Sequence, residues 1–253
     1  MSATPTVVTA CMIVIGNEIL SGRTQDKNMA YIASRLNEIG VRLTEARVVS
    51  DDQDAIVAAV NETRAKYDYV FTSGGIGPTH DDITADAIAA AFGVGIDFNP
   101  EAVAILEAHY EPGMLNEARM RMTRIPFGAS LVDNPVSKAP GFRLENVYVF
   151  AGVPSIMQAM FEGIRHELVG GAPMLTLTIA SYLPEGALAG PLGQLQDEFP
   201  AIEMGSYPFY RTSKFGTSVV LRGTERADLD AAGERLRQIV RELGQEPIEE
   251  SDI

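Results

Sequence analysis

The sequence predicts an α/β fold: a three-layer, mostly parallel sheet with helices on both faces, joined to a second, smaller α+β domain. Three observations carry this. Over the first two-thirds of the chain, short apolar runs alternate with helical stripes, the pattern of right-handed βαβ crossovers. A glycine pair and a proline, "GGAP" at 170–173, interrupt the chain directly after an amphipathic helix. Beyond that break the pattern becomes strand, helix, two strands and helix, which sets the expected domains at 1–170 and 171–253.

"TVVTACMIVIG" is apolar and β-branched, and it lacks the basic flank and cleavage site of a signal peptide, so it is expected as the first strand. Met29, Ile32, Ala33, Leu36 and Ile39 then form a helical stripe closed by Gly40. "VRLTEARVV" alternates as a strand, and "DQDAIVAAVNETRAKY" returns to helical spacing with acids in its first turn. "YVFTSGG" is the third strand, and Ile88, Ala91 and Phe92 mark the helix after it. Residues 99–125 read as helical, with starts at "NPEAV" and "NEARMRM". "SLVDNPVSKAPGF" is a turn-rich excursion, and "RLENVYVF" a hairpin partner and last strand. Ile156, Met157, Met160, Phe161, Ile164 and Leu168 complete the domain with a helix. In the second domain, strands at "MLTLTIASY", "IEMGSYPFY" and "TSVVLRG" accompany two helices. Leu188, Leu192, Leu195 and Phe199 mark one, and Leu229, Leu236, Ile239, Val240 and Leu243 the other. The acidic tail "PIEESDI" is expected to fray.

The 253 residues are 46% hydrophobic and 21% charged, the balance of an ordinary soluble protein, with no apolar stretch near the roughly 20 residues of a membrane span. Cys11 is the only cysteine, which excludes an intrachain disulfide and a cysteine-based zinc site and fits a cytoplasmic protein. Nothing in the sequence indicates haem. A net charge of −14 repels nucleic acid and anionic membranes alike. The "GPLG" at 190–193 has no basic flank, and Leu192 continues a helical stripe, so it does not revive nucleic-acid binding.

The chemistry concentrates in loops after the strands. "TSGGIGPTHDDITADAIAAAFG", residues 72–93, puts glycines between a strand and a helix start, where backbone amides and the helix dipole attract anions. It is neither a Walker A loop nor a dinucleotide fingerprint. A plain glycine turn with Asp82 or Thr84 capping the helix would read the same way. Asp51 and Asp52 end the second strand while Asp82 follows the third, so neighbouring strand ends can bring Asp51 and Asp82 to one cation. Oxygen ligands of this kind suit Mg²⁺ or Mn²⁺. In "IGNEILSGRTQDKN", Glu18 is a candidate third carboxylate, and Asp26 and Asn28 are candidate helix caps. "NPVSKAPGF" offers Ser137 and Lys138 to a phosphate, and "AGVPS" offers amides at 151–155. His80 adjoins Asp81 and could orient a ligand or water; His109 and His166 lack a partner at helical spacing.

"VIGNEILSGRTQDKN", "SGGIGPTHDDITADAIAAAFG", "NPVSKAPGF" and "YVFAGVPSIMQAMFE" together resemble the molybdopterin-binding-like (MoCF) fold, and within it the competence/damage-inducible protein A family. "GGIGPTHDD" and "GSYP" (205–208) also resemble the molybdopterin-binding-like part of eukaryotic FAD synthases. The resemblance does not extend to the nicotinamide-nucleotide amidase or adenylyltransferase domains found in such proteins. "FAGVPS" departs at Ala151 from the commoner loop.

The resemblance implies a MogA-like sheet with ligand loops converging at one edge, metal and phosphoryl chemistry at Asp51 and Asp82, and a homo-oligomer, dimer or trimer. It implies phosphate cradling by Gly74, Gly75 and Gly77 with Thr79 and Thr84; Ser73, Ser137, Gly152 and Ser155 complete the expected ligand contacts. Lys138 is expected to act with the two aspartates in catalysis, and Mg²⁺, Mn²⁺ or Co²⁺ to be held by Asp51, Asp82 and Glu18. The activity implied is hydrolysis of ADP-ribose or FAD to AMP and a phosphorylated fragment. A protein that holds a pterin or nucleotide without turning it over is the alternative. An interaction module built on the second domain is a third reading.

Overall fold

The computed structural model describes residues 7–211 and 213–250. The chain divides into two compact units, Met1–Gly171 and Ala172–Ile253.

In the first unit the sheet runs β2-β1-β3-β8-β7-β6. Its strands are β1 (Val8–Ile15), β2 (Val41–Val49), β3 (Tyr69–Ser73), β6 (Ser130–Val132), β7 (Gly141–Leu144) and β8 (Val147–Phe150). β2, β1, β3 and β8 are parallel, β7 runs antiparallel to β8, and the edge strand β6 runs antiparallel to β7. The expected mostly parallel sheet is therefore present. β1 is central and shows why its run was apolar without a break. Cys11, Ile13 and Ile15 enter one core with Ile56 and Val60 of α3 (Gln53–Arg64) and Ile88 of α4 (Thr84–Phe92). Ala10, Met12 and Val14 enter the other, with Ile32 and Leu36 of α2 (Asn28–Glu38) and Met157, Met160 and Phe161 of α7 (Pro154–Ile164). Phe71, Phe150 and Phe161 pack edge-to-face and offset in that second core, each such pair adding ~0.5–1.5 kcal/mol beyond its buried area.

The first corrections fall around residues 99–125. The region holds α5 (Pro100–His109), a short α6 (Glu117–Met120) with a 3₁₀ turn, and β5 (Arg124–Pro126), which pairs with β4 (Ile96–Phe98). Pro112 disfavours helix at Glu111, and Gly113 takes φ +83°, so the helix stops at His109. Both expected starts are real, because Asn99 and Asn116 accept capping hydrogen bonds. Asn28 is not a cap: it is buried inside the first turn of α2, while Asp26 accepts from the Met29 amide at 2.9 Å. A one-turn helix, α1 (Asn17–Leu20), occupies the loop after β1.

The second unit holds β9 (Leu175–Ser181), α8 (Glu185–Glu198), β10 (Glu203–Arg211), β11 (Lys214–Gly223), α9 (Arg226–Glu242) and β12 (Ile248–Glu250), with sheet order β10-β11-β9-β12. "GPLG" lies within α8, Pro191 included. The described part of the tail does not fray as expected: Ile248–Glu250 pairs with β9, and Arg237 bonds Glu249 at 2.7 Å. Residues 251–253 lie outside the described residues. No helix among the described residues is long and apolar enough to cross a membrane.

Candidate functional site

The strand order reverses between β1 and β3, and the loops after β1, β2, β3 and β8 meet at their carboxyl ends, where open α/β sheets bind ligands. Close backbone contact makes the meeting point. Gly74 adopts φ +109°, its amide donates to the Phe150 carbonyl at 3.2 Å, and a β-carbon there would overlap the Ile15 carbonyl oxygen. A β-carbon on Gly152 would lie 3.2 Å from the Gly74 Cα. Glycine is thus required at Gly74 by both dihedral and space.

Thr84 builds the turn from beneath. It is fully buried; its hydroxyl donates to the Gly74 carbonyl and its amide to the Gly75 carbonyl, both at 2.9 Å. Its role is to hold the loop, and neither Thr84 nor Asp82 caps α4, which starts without a side-chain cap. Asp82 instead accepts from the Thr79 amide at 2.8 Å and from the Thr79 hydroxyl, and its carboxylate covers Gly77. Asp51 accepts from the Asn17 amide at 2.8 Å, whereas Asp52 caps α3 through the Ala55 amide at 3.0 Å.

These loops line a cavity of about 490 Å³. Asp51, Asp82, Glu18, Asp81, Gly74, Gly75, Gly77, Ser137 and Gly152 all face it. Hydrogen bonding from the Thr79 side chain and from the Asp81 backbone amide holds the Asp81 carboxyl below its usual pKa. The structure brings together the glycines and carboxylates singled out in the sequence. It leaves Ser73, Thr79, Thr84, Lys138 and Ser155 off the cavity wall. Thr79 and Thr84 act on the loop as described, Ser155 is exposed in the first turn of α7, and Ser73 accepts from Asn28 at 3.3 Å. Lys138 sits at φ 62° in a turn that Asn134 organises by bonding Ser137 and Ala139, both at 2.7 Å. His80 is almost fully exposed.

Several wall residues were not foreseen. Asn134, Tyr110, Arg119 and Met122 face the cavity, and Asn28 supports it by donating to the Gly152 carbonyl at 2.8 Å. Their contribution depends on the path of the 110–122 segment and on contacts 45 and 124 residues apart in sequence, which no local pattern encodes.

The donor set suits a hard divalent cation. Among the described residues no three acidic, histidine or cysteine side chains converge as a closed metal cluster, so Glu18, Asp51 and Asp82 share a cavity without forming a three-carboxylate cage. Mg²⁺ is commonly held by one or two carboxylates with substrate phosphates and water completing its shell. Asp51 and Asp82 each have one carboxylate oxygen committed to the backbone and the other without a hydrogen bond among the described residues, which fits that mode.

Comparison with known proteins bears on the family and the fold. Residues 11–170 match the family described as the probable molybdopterin binding domain, and residues 173–246 match the one described as the FAD synthase middle domain. A protein of Aeropyrum pernix is 33% identical over 255 residues, covering 93% of this chain and 94% of its own. The probable FAD synthase of Caenorhabditis elegans is 28% identical over 92% of this chain, which spans 50% of that protein's length. The crystal structure of the protein CinA, of unknown function, from Thermoplasma acidophilum is 33% identical with a TM-score of 0.61, over 64% of this chain and 99% of that one.

Proposed function

The chain belongs to the probable molybdopterin binding domain family, and from that premise we propose a divalent-metal-dependent nucleotide pyrophosphatase acting on ADP-ribose- or FAD-type diphosphates. The observation that carries the proposal is one cavity in which Asp51 and Asp82 face the glycine loop 74–77. Acid alone would repel a diphosphate, and amides alone would not need the acid. Together they suit a diphosphate held between backbone donors and a carboxylate-bound cation.

In this reading Asp51 and Asp82 would hold Mg²⁺, Mn²⁺ or Co²⁺, with Glu18 of the same cavity wall as the third carboxylate. The bound ion would polarise a phosphoryl oxygen and lower the pKa of a coordinated water. Gly74 and Thr84 fix the loop whose amides, at Gly75 to Gly77, offset the charge that develops on the diphosphate. Water adds across the phosphoanhydride: its oxygen bonds one phosphorus as the bridging P–O bond breaks, giving AMP and a second phosphomonoester with release of protons. Lys138 belongs to this proposal only as a long-range countercharge from its loop. A homo-oligomer is part of the same reading and is read by light scattering. An Asp82→Ala protein with unchanged circular dichroism should lose turnover at least ~100-fold, the scale of removing a metal ligand or its support. Full activity in that variant would end the assignment.

A second reading, a pterin or nucleotide carrier without turnover, draws on the match of residues 11–170 to the probable molybdopterin binding domain. Tight calorimetric binding of such a ligand without metal-dependent AMP release would favour it.

A further inference from the structure

From the charges around the cavity we infer that Arg119, and not Lys138, is the side chain that meets the diphosphate. Four carboxylates line the cavity, those of Glu18, Asp51, Asp81 and Asp82, yet among the described residues the one cationic side chain lining it, Arg119, pairs with none of them. Arginines elsewhere in this chain are mostly paired, as with Arg47 and Glu45, Arg124 and Asp86, or Arg165 and Glu38. Arg119 is held in place by other means. Its guanidinium lies over the Tyr110 ring at 4.4 Å, and Nη1 donates to the Met114 carbonyl. Nε and Nη2 make no hydrogen bond among the described residues, so a fork of donors is fixed in position and unspent.

The cavity is therefore bipolar. Its wall divides charge between carboxylates, which suit a cation, and the unspent Arg119 guanidinium, which suits an anion and has the Tyr110 ring beside it. That division fits a diphosphate ester reaching from a metal toward a second charged or aromatic group better than it fits an uncharged nucleoside. Lys138 is off the wall, in a turn fixed by Asn134. The inference rests on the diphosphate reading proposed above and adds the side chain that recognises it.

The test is calorimetric titration in Mg²⁺ with adenosine and, separately, with ADP-ribose whose bridging diphosphate oxygen is replaced by methylene, so that the cation is in place and no turnover occurs. Wild-type protein should bind the analogue more tightly than adenosine. Arg119→Ala should weaken the analogue by ~10- to 100-fold, the worth of a charge-assisted hydrogen bond or two, and leave adenosine within about twofold. Arg119→Lys, which keeps charge but loses the fork, should fall between. Arg119→Gln, which keeps the stem over Tyr110, replaces the alanine variant if that variant loses its helical signal. Unchanged analogue affinity in a folded Arg119→Ala protein, or equal losses for the analogue and adenosine, would overturn the inference while leaving the diphosphate reading standing. Failure of the wild type to bind the analogue at all would instead remove the reading and the inference with it.

Discussion

Replacing Gly74 by alanine tests the geometry on which the site depends. Gly74 sits where the ends of β1, β3 and β8 touch, at φ +109°, a value that L-residues rarely adopt. An added β-carbon would overlap the Ile15 carbonyl oxygen and lie 3.2 Å from the carbonyl carbon, and both atoms are backbone of the central strand. Dihedral strain of this kind costs about 1–3 kcal/mol. Forced displacement of packed structure adds roughly 1–3 kcal/mol more. Gly93→Ala isolates the first contribution, because Gly93 has φ +66° and nothing within 4 Å of its added β-carbon. Urea unfolding followed by tryptophan-free probes, tyrosine fluorescence and circular dichroism, should place Gly93→Ala about 1–2 kcal/mol below wild type. Gly74→Ala should lie at least ~2 kcal/mol lower again. A Gly74→Ala protein no less stable than Gly93→Ala would refute the claim that backbone contact, rather than dihedral preference alone, fixes glycine there.

Other expectations follow from particular contacts. Thr84→Val removes the buried donor to the Gly74 carbonyl and should cost about 1–3 kcal/mol in the same unfolding assay; a neutral outcome would show that the hydroxyl does not hold the loop. Hydrogen bonds from Lys66, Tyr67 and Arg47 hold Glu45 down at about 2, below an unfolded value near 4.5. The stability this confers is therefore full above pH ~4.5 and is lost as pH falls toward 2, and Glu45→Gln should flatten the acid limb of a stability–pH curve over that window. Burial pushes the Cys11 thiol up to about 11, so native protein should resist thiol reagents at pH 8 and react only on unfolding.

How much of this was legible in the sequence depended on how local each cause is. The two-sided burial of β1 was readable because Ala10 to Ile15 carry an unbroken apolar run, and both cores confirm it. The glycine loop and its aspartates were readable because dihedral need, helix start and acid lie within a dozen residues. The helix expected through residue 125 failed at Pro112 and Gly113, where the local breaker signal outweighs the apolar spacing around it. Thr84 carried a side chain suited to a ligand, and only the fold shows its hydroxyl spent on Gly74. Arg119, Tyr110 and Asn28 were invisible because their placement follows from how an irregular segment and a distant loop pack against the strand ends. Local pattern names residues that could act; long-range contact decides which of them face the same space.

The central claim is that carboxylates and loop amides share one diphosphate through a cation. Its most direct test is product analysis of ADP-ribose, FAD and NAD incubated with the protein and Mg²⁺, Mn²⁺ or Co²⁺, against a chelator control. The account predicts AMP from at least one of them, abolished by chelator and by Asp82→Ala. Intact substrates under every metal, with the protein folded, would contradict it.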